Sequence, residues 1–451
     1  MFRSQVIVLL LCCVVIVSAC RTPTPTRILT RPAPTIAPST DVPDPSPTPY
    51  QTRLPNTIAF AVYGDAVERE AYQKLVEVFE AKNPDTRVEL DIIPNQFAYR
   101  EKIAGDFSVG DPPDVVLLNN RRYGFYGLRN MLAPLGPYLE KSTVLSESDF
   151  FSQALEPFRV RGQLMCIPQT ASPLVVYYNK EFFDIAKVSY PRADWTWDDF
   201  LKTAQQLSHD TNGDGKNDVF GLGTEGDLLR LSPFIWQNDA EIFDNLKRPT
   251  RFTFDSPAVK EALQWVVDLQ NKHRVVPSPD DEIIESFESR FMNGTIAMFI
   301  NQRRGVGLYR DNTEFDWDIA PLPRHKTQAN VLQAEAYCLP LASGKKDRAW
   351  KLIEFASSAE GQTILAQSGR IMPTLRAVAE SEAFLQSGDV PKNSRVFIDE
   401  LAHARSFPVL IQWPQIEEIA GEEIERAFHG YDKLENVLPK AMDRTEVLFK
   451  R

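Results

Sequence analysis

The run Asp210-Thr211-Asn212-Gly213-Asp214-Gly215-Lys216-Asn217-Asp218 sets oxygen-bearing side chains at alternate positions. It matches the opening of a calcium loop of the form D-x-[DN]-x-[DN]-G. Asp210, Asn212, Asp214 and Asp218 would supply side-chain oxygens, and Lys216 its carbonyl. The twelfth position is Gly221, so the bidentate glutamate of such loops is missing. A structural calcium is one expectation. The other is a turn built from Asn, Asp and Gly for their backbone habits.

Other chemistry is sparse. Gly221-Leu222-Gly223-Thr224-Glu225-Gly226 fits GxGxxG, but turn-forming residues precede it, so a glycine-rich connection is expected rather than a dinucleotide site. The histidines His209, His273, His325, His403 and His429 are scattered, and no HExxH, P-loop or GxSxG occurs. A glycosidase needs two facing carboxylates, and none can be singled out. No catalytic residue is assigned, and the chain is expected not to be an enzyme. Cys166 and Cys338 stand far apart without CxxC spacing, which gives zinc no support. Two buried thiols are the expectation, with a disulfide in an oxidising compartment as the alternative. The formal charge of −11 carries no basic stripe, so nucleic acid is not expected as a partner.

Short apolar runs and amphipathic helices alternate along the body. Thr57–Tyr63, Arg87–Ile93, Val115–Leu118, Leu174–Tyr178, Ile296–Ile300 and Tyr337–Leu341 read as strands. Helices are expected over 65–82, after Thr196 in a capping-box context, after Ser256-Pro257, and over 349–356. With 451 residues, this alternation predicts an α/β protein of two lobes.

The first twenty residues read as a targeting segment. Arg3 is followed by the apolar run Val6–Val17, too short to span a bilayer as a helix. The ending Val17-Ser18-Ala19-Cys20 resembles a bacterial lipoprotein lipobox, which implies a signal peptide of residues 1–19 and a lipid on Cys20. Residues 20–56 are rich in Pro, Thr and Ser and read as an extended tether.

An ordered series of landmarks then resembles the family 1 extracellular solute-binding proteins, the maltose-binding-protein-like group. It runs through Phe79-Glu80 and Asn83-Pro84, Gly110-Asp111-Pro112-Pro113-Asp114, Leu132-Ala133-Pro134-Leu135, and Tyr177-Tyr178-Asn179-Lys180. Trp195-Thr196-Trp197-Asp198-Asp199-Phe200, Met292-Asn293-Gly294, Pro321-Leu322-Pro323 and Ala349-Trp350 continue it. The resemblance implies a two-lobed periplasmic-binding-protein fold of the type II kind, with a hinge and a ligand cleft between lobes. By analogy one lobe holds residues 57–165 and 333–375, the other 166–332 and 376–451. It also implies a monomer that hands a small solute to ABC permease subunits at the outer face of the cell membrane.

Under that resemblance, ligand contacts belong where strands end. They are Tyr63 and Asp65, then Asn119, Asn120 and Arg121, then Gln169 and Thr170, then Asn301, Gln302 and Arg303, and Glu335. Trp236 and Trp413 are the candidate aromatic platforms, with core burial as the competing reading. Trp195, Trp197, Trp265 and Trp350 are assigned to the core. A carbohydrate is the default ligand. Arg303 and Arg304 stand where many sugar-binding relatives carry a tryptophan, which makes an acidic sugar or a glycerophosphodiester the alternative. A secreted carbohydrate-active enzyme and a surface lipoprotein without an importer are the readings from other classes.

Overall fold

The computed structural model describes residues 53–450. The expectations for the signal peptide, Cys20 and most of the tether lie outside these residues.

Two sheets organise the body. Strands β1 (Thr57–Tyr63), β2 (Arg87–Ile93), β3 (Val115–Asn119), β4 (Leu132–Ala133), β5 (Cys166–Ser172) and a long strand Gln333–Pro340 form the first. Strands β6 (Val175–Asn179), β7 (Phe220–Gly223), β8 (Ile296–Asn301) and β9 (Trp317–Ala320) form the second, and Gln333–Pro340 is then β10. The first sheet runs β2-β1-β3-β10-β4, with β5 also on β10; the second runs β9-β6-β8-β7. β1 lies parallel to β2 and to β3. Nearly every residue of β1 and all of β3 are buried, which is why both read as unbroken apolar runs rather than alternating ones.

Strand pairing shows where the chain changes sheets. β5 pairs with β10 in the first sheet, and the chain then passes to the second sheet at Pro173 and Leu174. Asn330, fully buried, ties this crossing down. Its Nδ2 donates to the Leu174 carbonyl at 2.8 Å, and its Oδ1 accepts the Leu174 N–H at 3.0 Å.

The same pairing corrects the cysteine expectation. Cys166 and Cys338 face each other directly across the antiparallel β5–β10 pair, with Cα atoms 4.5 Å apart, and form a disulfide. The sequence separation of 172 residues hides a juxtaposition that only sheet register creates.

Four helices position the site: α1 (Ala66–Lys82), α2 (Gln96–Ser108), α3 (Leu228–Gln237) and α4 (Trp413–Phe428). α1 begins with a capping box. The Asp65 carboxylate accepts the Val67 and Glu68 N–H groups, and Glu68 reaches back to the Asp65 N–H. The glycine-rich segment is strand over its first half and a short connection over Thr224–Gly226. Phe220–Gly223 is strand and Asp227 caps α3. A Cβ on Gly221 would lie 1.9 Å from the Ala204 carbonyl oxygen, so this glycine allows close packing of strand on helix.

Candidate functional site

Between the two sheets lies a cleft of about 590 Å³. That volume suits a small-molecule ligand, for which clefts of roughly 300–1,000 Å³ are usual. Strand ends of the first sheet contribute Tyr63, Asn119, Arg121, Thr170, Gln333 and Glu335, and α2 adds Gln96. The facing wall holds Gln302 and Arg304 after β8, and Asp227 and Arg230 at the start of α3. One face of α4 closes it with Glu417, Glu418, Glu422 and Glu425.

The guanidinium groups here are already paired. Arg304 bonds Glu68 at 2.7 Å, and Arg121 pairs with Glu417. Arg230 pairs with Asp227 and, at 2.9 Å, with Glu225. Arg370 pairs with Asp65 and donates to the Arg304 carbonyl oxygen at 2.6 Å. The Arg304–Glu68 pair joins the segment after β8 to the start of α1, and the Arg121–Glu417 pair joins the segment after β3 to α4. Burial raises the Glu68 carboxyl, and the Arg304 charge opposes that rise. Glu335 has no such counter-charge. Burial pushes its carboxyl up to about 8, and its Oε1 accepts from the Tyr63 hydroxyl. At neutral pH it is therefore a proton donor. The walls offer fixed donors and acceptors, one tyrosine ring and more carboxyl groups than guanidinium groups.

Several expected contacts lie elsewhere. Trp236 and Trp413 are core residues, 2% and 0% exposed, and both pack on Phe407. Arg303 is also fully buried. Its guanidinium lies 4.4 Å from the Phe384 ring centroid and donates to the Phe384 carbonyl and Ser394 Oγ. It cannot face a solute in this arrangement, whereas Arg304, the other guanidinium behind the acidic-ligand alternative, lines the cleft. Gln169 donates to the Tyr72 and Tyr337 hydroxyls inside the first sheet's core. Asn120 bonds the backbone of Leu332 and Ala334, and Asn301 donates to the Tyr309 hydroxyl. Asp65 serves as helix cap and partner of Arg370.

Sequence reasoning missed Glu68, Gln96, Asp227, Arg230, Gln333, Arg370 and the α4 carboxylates. The last had a signal. Glu417, Glu418, Glu422 and Glu425 recur at helical spacing opposite the buried Ile416, Ala420, Ile424 and Ala427.

The 210–218 loop closes on itself. Asp210 accepts the backbone N–H groups of Asn212, Gly213 and Gly215, and Asp218 accepts from Thr211. These bonds hold both carboxyls below their ordinary range. Among the described residues, no group of three or more His, Cys, Asp or Glu side chains is placed to hold a metal ion. No helix among them is long and apolar enough to cross a membrane.

Comparison with known proteins agrees with this architecture. Residues 74–392 match the family model described as bacterial extracellular solute-binding protein. A mannitol-binding protein of Pseudomonas aeruginosa is 23% identical, over 69% of this chain and 72% of its own length. An ABC substrate-binding protein of Listeria monocytogenes, solved with cycloalternan, superposes with a TM-score of 0.79 at 27% identity, covering 87% of this chain and 98% of that one. UgpB of Mycobacterium tuberculosis, solved with glycerophosphocholine, gives 0.75 at 20% identity, covering 88% and 98%. The chain belongs to the bacterial extracellular solute-binding proteins, a family that binds and does not take its place among enzymes.

Proposed function

We propose that the chain captures a carbohydrate or polyol in the cleft and delivers it to the permease of an ABC importer, without turning it over. The observation that carries the ligand class is the state of the arginines. Arg121, Arg230, Arg304 and Arg370 are each paired with a carboxylate, so the central cleft presents hydrogen-bonding groups without a free cation. Such walls suit hydroxyl groups, which both donate and accept. Tyr63 lines the cleft with the Arg304 guanidinium 5.3 Å from its ring centroid. The solved relatives include one holding cycloalternan, and another relative is named for mannitol. Lipidation at Cys20, tethering at the outer membrane face through residues 20–56, and a monomeric state complete the reading. Its two lobes follow the sheets, with crossings near 173 and 332.

A thermal-shift screen of mannitol, malto-oligosaccharides, sugar acids and glycerophosphocholine tests this. At least one neutral sugar or polyol should raise the melting temperature, because a ligand that binds only the folded state stabilises it. Arg230→Ala and Gln96→Ala should weaken that ligand about tenfold or more. A response confined to sugar acids would remove the neutral-ligand reading, and product formation from the bound sugar would remove the binding-only reading.

A further inference from the structure

Off the cleft, beyond Tyr63, Gln96 and Asn119, a second chamber of about 240 Å³ opens into the first sheet's side. Its walls are Tyr99, Ile103, Leu117, Leu118, Phe125 and Tyr126, with Pro414 of α4 across the mouth. Tyr99 shows the chamber only its ring, since its hydroxyl bonds the backbone of Ala61 and Leu117. Two guanidinium groups break this apolar lining: Arg100 and Arg122.

These arginines are under-neutralised. Arg122 lies 3.6 Å from Glu417, but that carboxylate already pairs with Arg121. Arg100 donates to Gln96, and among the described residues no carboxylate forms an ion pair with it. The buried Nε of Arg122 has no hydrogen-bond partner. Three cations thus crowd around Glu417, with only the charge of Glu418 acting in addition on Arg122. Burial, and then the charges of Arg122 and Arg121, depress Arg100 to about 10. An arriving anion would relieve that crowding and satisfy the open donor together. The N-terminus of α4 at Pro414 adds the positive end of its dipole.

We propose that the chamber is a subsite for an oxyanion, phosphate monoester or carboxylate, carried on an apolar ring at one end of the solute. The size fits, since a cavity of about 150 Å³ already holds benzene. This rests on the solute-binding reading and refines it: the central cleft holds hydroxyl groups, and the chamber holds an anionic, apolar terminus. It differs from the acidic-ligand idea raised by Arg303 and Arg304, of which the first is sealed in the core and the second is paired with Glu68.

The test titrates the full chain with phenyl phosphate, benzoate, phenol and inorganic phosphate, followed by calorimetry and by saturation transfer to the ring protons. Phenyl phosphate, benzoate or both should bind at least tenfold more tightly than phenol or inorganic phosphate; which of the two does so identifies the oxyanion. Arg100→Gln and Arg122→Gln should each weaken that binding about tenfold. Ala104→Phe, at an exposed position on the chamber wall, should block it without disturbing the core. Equal binding of inorganic phosphate, or affinity unchanged in all three variants, overturns the proposal. A sugar that stabilises the chain while neither phenyl phosphate nor benzoate binds overturns the chamber alone. Binding of either aromatic anion while no sugar or polyol responds leaves the chamber standing and removes the carbohydrate reading instead.

Discussion

Glu335 gives the most direct quantitative test of the cleft. The residue sits on β10 opposite Asn119 and Thr170, hydrogen-bonded by Tyr63 and, at 3.4 Å, by Gln96. Its carboxyl titrates near 8 when folded, against an ordinary value of 4.5, and burial is the cause. In the unfolded chain the proton leaves first. Between those two values the folded state therefore holds a proton that the unfolded state has lost, and stability falls as pH rises. The stabilising proton is fully in place below about pH 4.5, and its contribution is gone once pH passes about 8. The full shift corresponds to about 1.4 kcal/mol per pH unit across that window, or roughly 3 kcal/mol lost by pH 7. Part of the side chain faces the cleft, so solvent screening reduces this to about 1–2 kcal/mol. Glu335→Gln keeps the shape and removes the titration. Urea unfolding at several pH values between about 5 and 9, for both proteins, reads the difference. The wild-type stability should fall by about 1–2 kcal/mol more than that of the variant over this range. Parallel curves would refute the claim that Glu335 is buried and neutral.

Three further outcomes follow from the geometry. Reduction of the Cys166–Cys338 disulfide, or its replacement by paired serines, should cost about 2–5 kcal/mol, because it closes a loop with a separation of 172 residues; an unchanged melting temperature with reductant under unfolding conditions would contradict it. Asn330→Ala should lower unfolding free energy by about 3 kcal/mol, since it orphans both Leu174 backbone groups and one hydrogen bond to Glu400; a loss below about 0.5 kcal/mol would show that the crossing does not depend on it. The 210–218 loop is held by its own amide–carboxylate bonds, so calcium or EGTA should leave the melting temperature unchanged; a calcium-dependent rise would instead assign Asp210, Asn212, Asp214 and Asp218 to a metal.

Much of the fold was readable because its signals are local. The β1 and β3 runs are apolar throughout, and Thr196 and Asp199 form the expected capping box. What stayed hidden depends on register or on distant packing. Nothing near Cys166 says that Cys338 will lie opposite. Nothing near Trp413 says that Phe407 and Phe243 will enclose it.

The site shows the same limit at finer scale. Each strand end offered neighbouring polar residues, and successive side chains there turn to opposite sides, within the strand as at 169–170 and just beyond it as after Asn119 and Asn301. Asn119 and Arg121 line the cleft, while Asn120 between them turns to the backbone of Leu332 and Ala334. Gln302 and Arg304 line it, while Asn301 and Arg303 turn inward. Thr170 lines it, while Gln169 is sealed between two tyrosine hydroxyls. Locating the strand ends was enough to find the neighbourhood, but choosing the contacts required parity. Parity comes from the pairing partner: Glu335 stands opposite both Asn119 and Thr170, so those side chains share its face. The consequence for the ligand is specific. Had Arg303 rather than Arg304 faced the cleft, a guanidinium without a carboxylate partner would have favoured an acidic solute there. Arg304 instead arrives beside Glu68, and the charge is spent before any ligand enters.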